Sequence, residues 1–416
     1  MTDQRTSPFT PVLIASSMIL LVGFAIRASF GVFQIPIADE FGWLRAEFSL
    51  AIAIQNLAWG IGQPVFSAIA EKFSDRKAIF LGAVIYALGL LLSSVSTTPL
   101  EHQLYEVLVG FGVAGTGFGV VLAVVGRATA EEHRSLALGI ATAMGSAGQI
   151  VGPPVANALL SVMPWSSVFV IFAAVILLAL VLLPWVKADD SQLASEAQHE
   201  SMGEVVAKAL RDPSYIMIFL GFFSCGFQLA FVTAHFPAFV AEVCSAIPDG
   251  SLVKNIGVDS TAALGAFAIA LIGMANVVGT VAAGALGKYY SKKYLLALIY
   301  TGRTVIAAWF ILVPMTPTTV IVFSVTMGAL WLATVPLTSG LVAHIYGLRY
   351  MGTLYGIVFF SHQLGSFLGV WLGGELYDMY GSYDVVWWVG VGVGAFSALI
   401  NLPVREAPYE RLAAAE

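Results

Sequence analysis

Two arginines stand where the chain is otherwise apolar. Arg27 and Arg303 lie near the middle of apolar stretches covering 11–38 and 294–313. A charge at mid-bilayer costs about 2.5–3.5 kcal/mol even on the most lenient insertion scale, and from the centre a side chain cannot easily snorkel to water. A guanidinium cannot shed its proton to escape that cost, and its planar fork matches a carboxylate with two parallel hydrogen bonds. Two such groups in different parts of the chain point to an anion arriving between them. The bland alternative is a buried salt bridge or bonds to backbone carbonyls, yet no carboxylate sits clearly inside any apolar stretch.

The other polar residues within these stretches allow two readings each. His362 has a side chain that titrates near neutrality, suited to donating to a substrate or carrying a proton, and equally suited to bonding a neighbouring helix. Asn56 and Gln149 are candidate substrate contacts, although interhelical hydrogen bonds explain most amides in such places. Asp39, Glu40, Glu47, Glu101 and Asp378 fall near stretch ends, and only Glu106 is placed to dip into the bilayer. The proton-relay candidates are therefore His362 and Glu106, and exchange of one anion for another needs neither.

The elements that must position these residues follow from composition. Of 416 residues, 58% are hydrophobic and 11% charged, against roughly 25% charged in an ordinary soluble domain. The apolar stretches lack period-two alternation, which excludes a transmembrane barrel and leaves helices. Twelve spans are expected, at 11–38, 45–70, 78–97, 100–126, 135–160, 164–186, 213–242, 258–284, 294–313, 318–344, 350–377 and 383–403. The fold class is thus an all-α membrane protein of two pseudo-symmetric six-helix bundles. Residues 1–186 form one bundle and 213–416 the other. The polar segment 187–212 links them and includes an amphipathic helix starting near Ser201. Of the 19 Lys and Arg, 15 fall on one side, only Arg45 and Lys254 on the other, and 2 within spans. The positive-inside rule then places both termini in the cytoplasm and the chain in the inner membrane.

Several function classes drop out. No Gly-x-x-x-x-Gly-Lys-Ser/Thr loop cradles a phosphate, and no Cys/His group has metal-ligand spacing. With no sizeable soluble domain, an enzyme, a cofactor or a nucleic-acid partner is not expected. Cys225 and Cys244 are expected to serve packing.

The segment Ser67–Lys77, Ser-Ala-Ile-Ala-Glu-Lys-Phe-Ser-Asp-Arg-Lys, resembles the signature loop of the major facilitator superfamily, Gly-x-x-x-Asp-Arg-x-Gly-Arg-Lys. Ser67, Glu71, Lys72 and Ser74 replace a glycine, an aspartate, an arginine and a glycine, so the charge signs are kept. A second basic loop, Gly284 to Lys293, occupies the corresponding place in the other half. Arg134 to Gly148 resembles the fifth-span pattern of monocarboxylate porters, and Gly23–Phe33, Tyr300–Arg303 and His362–Gly369 resemble bacterial members of that broad group. The resemblance implies alternating access and a site between the halves, with Glu71, Lys72, Asp75, Arg76 and Lys77 as a gating loop. It departs at Thr280, where many monocarboxylate porters carry an arginine after Asn-x-x-Gly. Gly139, Gly148, Gly152 and Pro153 also partly match a motif of drug-efflux antiporters. The expected function is a secondary transporter of a small, monocarboxylate-like organic anion, acting as a monomer with a proton or counter-anion as co-ligand. The alternative is a proton-coupled efflux antiporter for a drug or metabolite. Phe30, Phe33, Trp59 and Trp331 are candidate cavity walls.

Overall fold

The computed structural model describes residues 9–187 and 201–408. Half of the linker, with Asp189, Asp190, Glu196, His199 and Glu200, lies outside the described residues, as do Arg5 and Arg411. Twelve long helices run through the described residues: α1 Pro11–Phe41, α2 Arg45–Lys72, α3 Asp75–Ser93, α4 Pro99–Ala128, α5 Glu131–Leu160, α6 Trp165–Trp185, α7 Pro213–Val243, α8 Thr261–Leu286, α9 Lys292–Leu312, α10 Pro317–Tyr346, α11 Met351–Tyr380 and α12 Asp384–Asn401. They match the expected spans to within a few residues at each end. Eleven are long and apolar enough to cross a membrane by length and composition, and α2 is the exception. Its amides Gln55, Asn56 and Gln63 lower its hydropathy, and they do so because the helix is packed within protein: Gln55 and Gln63 are fully buried.

The packing repeats six helices on. In the first half α1 lies along α5, α2 along α4, and α3 against α4 and α6; in the second α7 lies along α11, α8 along α10, and α9 against α10 and α12. The halves meet along two matching seams, α2 with α11 and α5 with α8. Small residues let backbones approach in each pair. A Cβ at Gly148 or Gly152 of α5 would come within 2.2 Å of Leu21 O or 2.0 Å of Ala25 O on α1. A Cβ at Gly365 or Gly369 of α11 would come within 2.1 Å of Phe223 O or 2.3 Å of Phe227 O on α7. The antiporter-like glycines are therefore a packing device that the other half repeats.

Three helices are interrupted. α1 breaks at Ser29, whose hydroxyl donates back to Ala25 O at 2.8 Å. α4 breaks at the extended Gly117, and α10, its counterpart, over 331–333. Irregular backbone at membrane depth persists only where protein or a wet cavity satisfies the freed groups. Between the halves, the short helix Met202–Arg211 is closed by a capping box, with Ser201 N donating to Glu204 Oε2 at 2.7 Å and Glu204 N to Ser201 Oγ at 3.3 Å. Asp212 then caps α7 through Ser214 N and accepts from Tyr346 Oη of α10 at 2.5 Å, which ties this helix to the second half.

Candidate functional site

Arg27 lies in the last turn of the first segment of α1, two residues before the break at Ser29, where a helix C-terminus favours a cation. Its Nη2 donates to Asn56 Oδ1 of α2, and its guanidinium lies over the Trp59 ring, 4.7 Å from the centroid. The two sequence candidates Arg27 and Asn56 are thus direct partners. Trp59 Nε1 donates to Gln63 Oε1 at 3.0 Å, which fixes the indole that the arginine rests on. Arg27 Nε is buried with no partner, and among the described residues no ion pair to a carboxylate is formed.

Arg303, from α9, is fully buried in the second half. It reaches only neutral acceptors at long range: Cys225 Sγ at 3.4 Å, Cys225 O at 3.4 Å and Trp331 O at 3.5 Å. Trp331 O is available because α10 is broken there, and the same break lets Leu332 N donate to Asn276 Oδ1 at 2.9 Å. The Tyr300 ring faces the guanidinium at 5.7 Å. Cys225 also lies 3.2 Å from Thr334 Oγ1 and faces His362, so it holds a polar cluster together and does more than fill space.

His362 joins this cluster to the seam. Its ring stacks on Phe359 at 5.1 Å, and Phe359 meets Trp59 across the seam at 4.8 Å between centroids. The order Arg27, Trp59, Phe359, His362, Cys225, Arg303 therefore crosses from one half to the other. Around its second-half end, Arg303 Nε, Tyr355 Oη and Gln363 Nε2 are buried donors without partners. Leaving a buried donor unpaired costs about 1–3 kcal/mol, so donors gathered round an unpaired cation form a setting that an anion with several oxygens would satisfy.

The structure does not bring every candidate to this place. Gln149 is half-buried on α5 beside Gly148, with no side-chain hydrogen bond to either arginine. Phe30 and Phe33 are corrected from cavity walls to core, since both pack on Phe169 of α6 at 5.5 and 4.7 Å. The expectation of no carboxylate inside a span is also corrected. Glu106 is fully buried on α4, where Gln55 Nε2 donates to it at 2.7 Å and Ser93 Oγ at 3.1 Å. A span start at Leu100 would leave Glu106 near an end; the second-turn position becomes interior because Trp43, Phe48 and Phe169 close over that end around His102. Tyr355 and Phe359 were not singled out from sequence, and their spacing four residues apart on the face of His362 is the signal that marks them.

At the basic end the gating-loop residues divide. Glu71 accepts from Gly352 N at 2.6 Å, from Thr353 N at 3.2 Å and from the Thr353 hydroxyl, so one carboxylate caps α11 from the opposite half. Asp75 pairs with the buried Arg127, and Arg76 bonds Val186 O at 2.9 Å and Pro184 O at 2.5 Å at the end of α6. Lys72 and Lys77 are exposed. With Ser135 and Gly139 of α5 pressed on Gly284 of α8, the halves are shut at this end.

The sequence model described as Major Facilitator Superfamily matches residues 15–370, most of the chain. The chain belongs to the major facilitator superfamily. It is a multi-pass membrane transporter for a small molecule, and not an enzyme. It is 27% identical over 420 residues to an uncharacterized MFS-type transporter, YcxA, of Bacillus subtilis, covering 96% of each chain. It is 26% identical to monocarboxylate transporter 13 of Bos taurus, covering 91% of this chain and 86% of that one. In fold it is similar to the proton:xylose symporter XylE, with a TM-score of 0.75 at 15% identity over 99% of this chain and 100% of that one.

Proposed function

We propose that this transporter carries a small organic anion of the monocarboxylate type by alternating access. The observation that carries the reading is the pair of membrane-interior arginines with no carboxylate partner, set on either side of the Trp59–Phe359 contact between the halves. Arg27 holds the carboxylate, with Asn56 setting the plane of its fork. Arg303 and His362 approach the remaining oxygens from the second half. The similarity to monocarboxylate transporters supports this class, although the arginine expected at Thr280 is absent; Arg303, on the next helix, supplies the charge instead. Thr280 is buried and bonds its own helix at Asn276 O, 2.9 Å away.

Orientation follows the basic residues: the shut end carrying Glu71, Asp75, Arg76 and Arg127 faces the cytoplasm, and both termini lie on that side of the plasma membrane. Release inward then requires Glu71 to leave the start of α11. The glycines resembling the antiporter motif give no direction, because α11 repeats them.

The test is thermal stabilisation of the purified protein by a panel of mono- and dicarboxylates, since a ligand held only by the folded state raises its stability. At least one acid is expected to stabilise the wild type and to lose its effect in Arg27→Gln and in Arg303→Gln. Shifts from neutral or cationic compounds alone, with no response to any acid, would overturn the anion reading in favour of efflux.

A further inference from the structure

The two loops that repeat between the halves carry opposite charges at matching places. With Ser74 set against Ser291, the acids Glu71 and Asp75 of the first loop stand where the second has Lys288 and Lys292. In the first half those acids are spent on the start of α11 and on Arg127. The second loop has no acid at all between Gly284 and Lys293. The carboxylate at the start of α9 comes instead from beyond α12: Glu406 accepts from Ser291 Oγ at 2.5 Å, Lys292 N at 2.9 Å and Lys293 N at 3.2 Å. Its oxygens are taken up by these helix-start donors, and Lys292 Nζ stands 4.0 Å away. Among the described residues, Lys288 and Lys293 form no ion pair.

These groups line an open bowl of about 400 Å³, a volume within the range of small-molecule sites. Lys288, Lys292 and Lys293 come from the loop and the start of α9, His344 from the end of α10, and Tyr289 and Tyr290 are exposed beside them. Lys288 Nζ lies 5.5 Å from the Tyr289 ring, and Lys293 Nζ lies 5.0 Å from that of Tyr294. Exposed Tyr294, Leu298 and Val305 continue up α9 as a stripe suited to lipid chains. Tyrosines gather at the headgroup level of a membrane, and basic pockets beside spans take acidic headgroups.

The bowl also touches the seam between the halves. A Cβ at Gly287 would come within 2.4 Å of Ser135 Oγ of α5. A Cβ at Gly340 of α10 would meet Lys292 Cε at 3.3 Å and Leu138 Cδ1 of α5 at 3.7 Å, so the lysine stem lies against the first half. Arg134 of α5 is within electrostatic reach of Lys292, countered in part by Glu131. Like charges from the two halves therefore face each other only while this end is shut.

We propose that the bowl is a binding site for a phosphate group, carried by an acidic lipid headgroup or by a soluble phosphate, and that its occupancy holds this end of the transporter shut. The phosphate oxygens take up the ammonium groups of Lys288 and Lys293, which the loop leaves without a carboxylate. An anion there also offsets the repulsion between Lys292 and Arg134. That repulsion vanishes when the halves part, so the anion has more to gain in the shut form and shifts the equilibrium toward it. The site is separate from Arg27 and Arg303 and does not depend on which solute is carried.

The experiment is thermal unfolding of the purified full-length protein in nanodiscs of net-neutral phosphatidylcholine. One arm replaces part of that lipid with phosphatidylglycerol, and the other adds pyrophosphate to the solution. A higher melting temperature is expected in at least one arm, and the arm that responds identifies the source of the phosphate. In the double variant Lys288→Gln with Lys293→Gln, the amount of that anion needed for half the response should rise roughly thirtyfold. Lys72→Gln with Lys77→Gln, which removes two exposed lysines of the first loop, should leave it unchanged. Ser135→Cys, in a Cys244→Ser background, should react more slowly with a membrane-impermeant thiol reagent in the responding arm. No response in either arm overturns the site. So does an equal loss in both double variants, which would mark diffuse attraction to a basic surface. An unchanged labelling rate in the responding arm overturns the link to the shut end.

Discussion

The two arginines occupy related settings in repeated halves, yet the protein treats them differently. Arg27 is half-buried, gripped by one amide and one indole, and shares its half with the buried carboxylate Glu106. Arg303 is sealed, bonded weakly to a sulfur and two carbonyls, and close to unpaired donors, with no buried acid in its half among the described residues. The first half can thus balance its cation internally, whereas the second cannot. A duplicated fold has kept its packing rules in both halves and assigned the electrostatic work asymmetrically.

The largest effect that tests this contrast is on Arg303. Removing an uncompensated charge from mid-membrane should relieve a cost of about 2.5–3.5 kcal/mol, offset in part by three weak hydrogen bonds. Arg303→Met is therefore expected to raise the melting temperature of the ligand-free protein while abolishing stabilisation by acids. Arg27→Gln, whose cation has Glu106 to balance it, should leave the ligand-free melting temperature lower or unchanged. Its cost appears in binding, at about 1.5–3 kcal/mol for a lost charge-assisted bond, or roughly ten- to hundredfold in affinity. A fall in melting temperature for Arg303→Met would mean that its bonds to Cys225 and Trp331 anchor α9, and that the asymmetry is structural only.

Next in size is the capping carboxylate. Glu71 makes its hydrogen bonds across the seam, so Glu71→Gln weakens a contact present only while the basic end is shut. A loss of about 1.5–3 kcal/mol should expose cysteines introduced along the α2–α11 seam, in place of Phe360 opposite Gly60 for example, to a membrane-impermeant thiol reagent. Equal labelling before and after the substitution would mean that the α5–α8 seam alone holds this end closed.

The glycines provide the control in which the halves should agree. Gly152→Ala forces a methyl group to within 2.0 Å of Ala25 O, and Gly369→Ala to within 2.3 Å of Phe227 O. Overpacking of this kind costs typically 1–3 kcal/mol, and both variants should melt lower by similar amounts. If only one responds, the repeat in packing is not a repeat in stability.

How far the sequence foretold this depends on the distance over which each feature is decided. Span positions are set by local hydropathy, and they were legible to within a few residues. The pairing of Arg27 with Asn56 was half legible: both types were conspicuous in apolar runs, but their meeting depends on the register between α1 and α2. Glu106 was legible as the one acid placed to dip into the bilayer, but its full burial was not, because aromatic residues from other helices close over that end. The broken segment of α10 was hidden in the same way, since Trp331 and Leu332 carry no glycine to announce it. Its carbonyl and amide are satisfied by Arg303 and Asn276, more than 25 residues away in sequence.

The smallest test acts on the link between these observations. Cys225 Sγ is one of the few acceptors Arg303 has, and a thiol is a weak one. Cys225→Ala should change ligand-free stability by under about 1 kcal/mol, because the lost bond was poor and Trp331 O and Cys225 O remain. Acid-induced stabilisation should be kept or slightly increased, since Arg303 then has less to give up. Cys225→Ser, with a hydroxyl that accepts more strongly, should compete with the ligand and reduce that stabilisation. If serine and alanine behave alike, Arg303 does not face the anion through the Cys225 side, and its role shifts to holding the break in α10 open. That outcome would leave Arg27 as the sole charged contact and make the asymmetry between the halves complete.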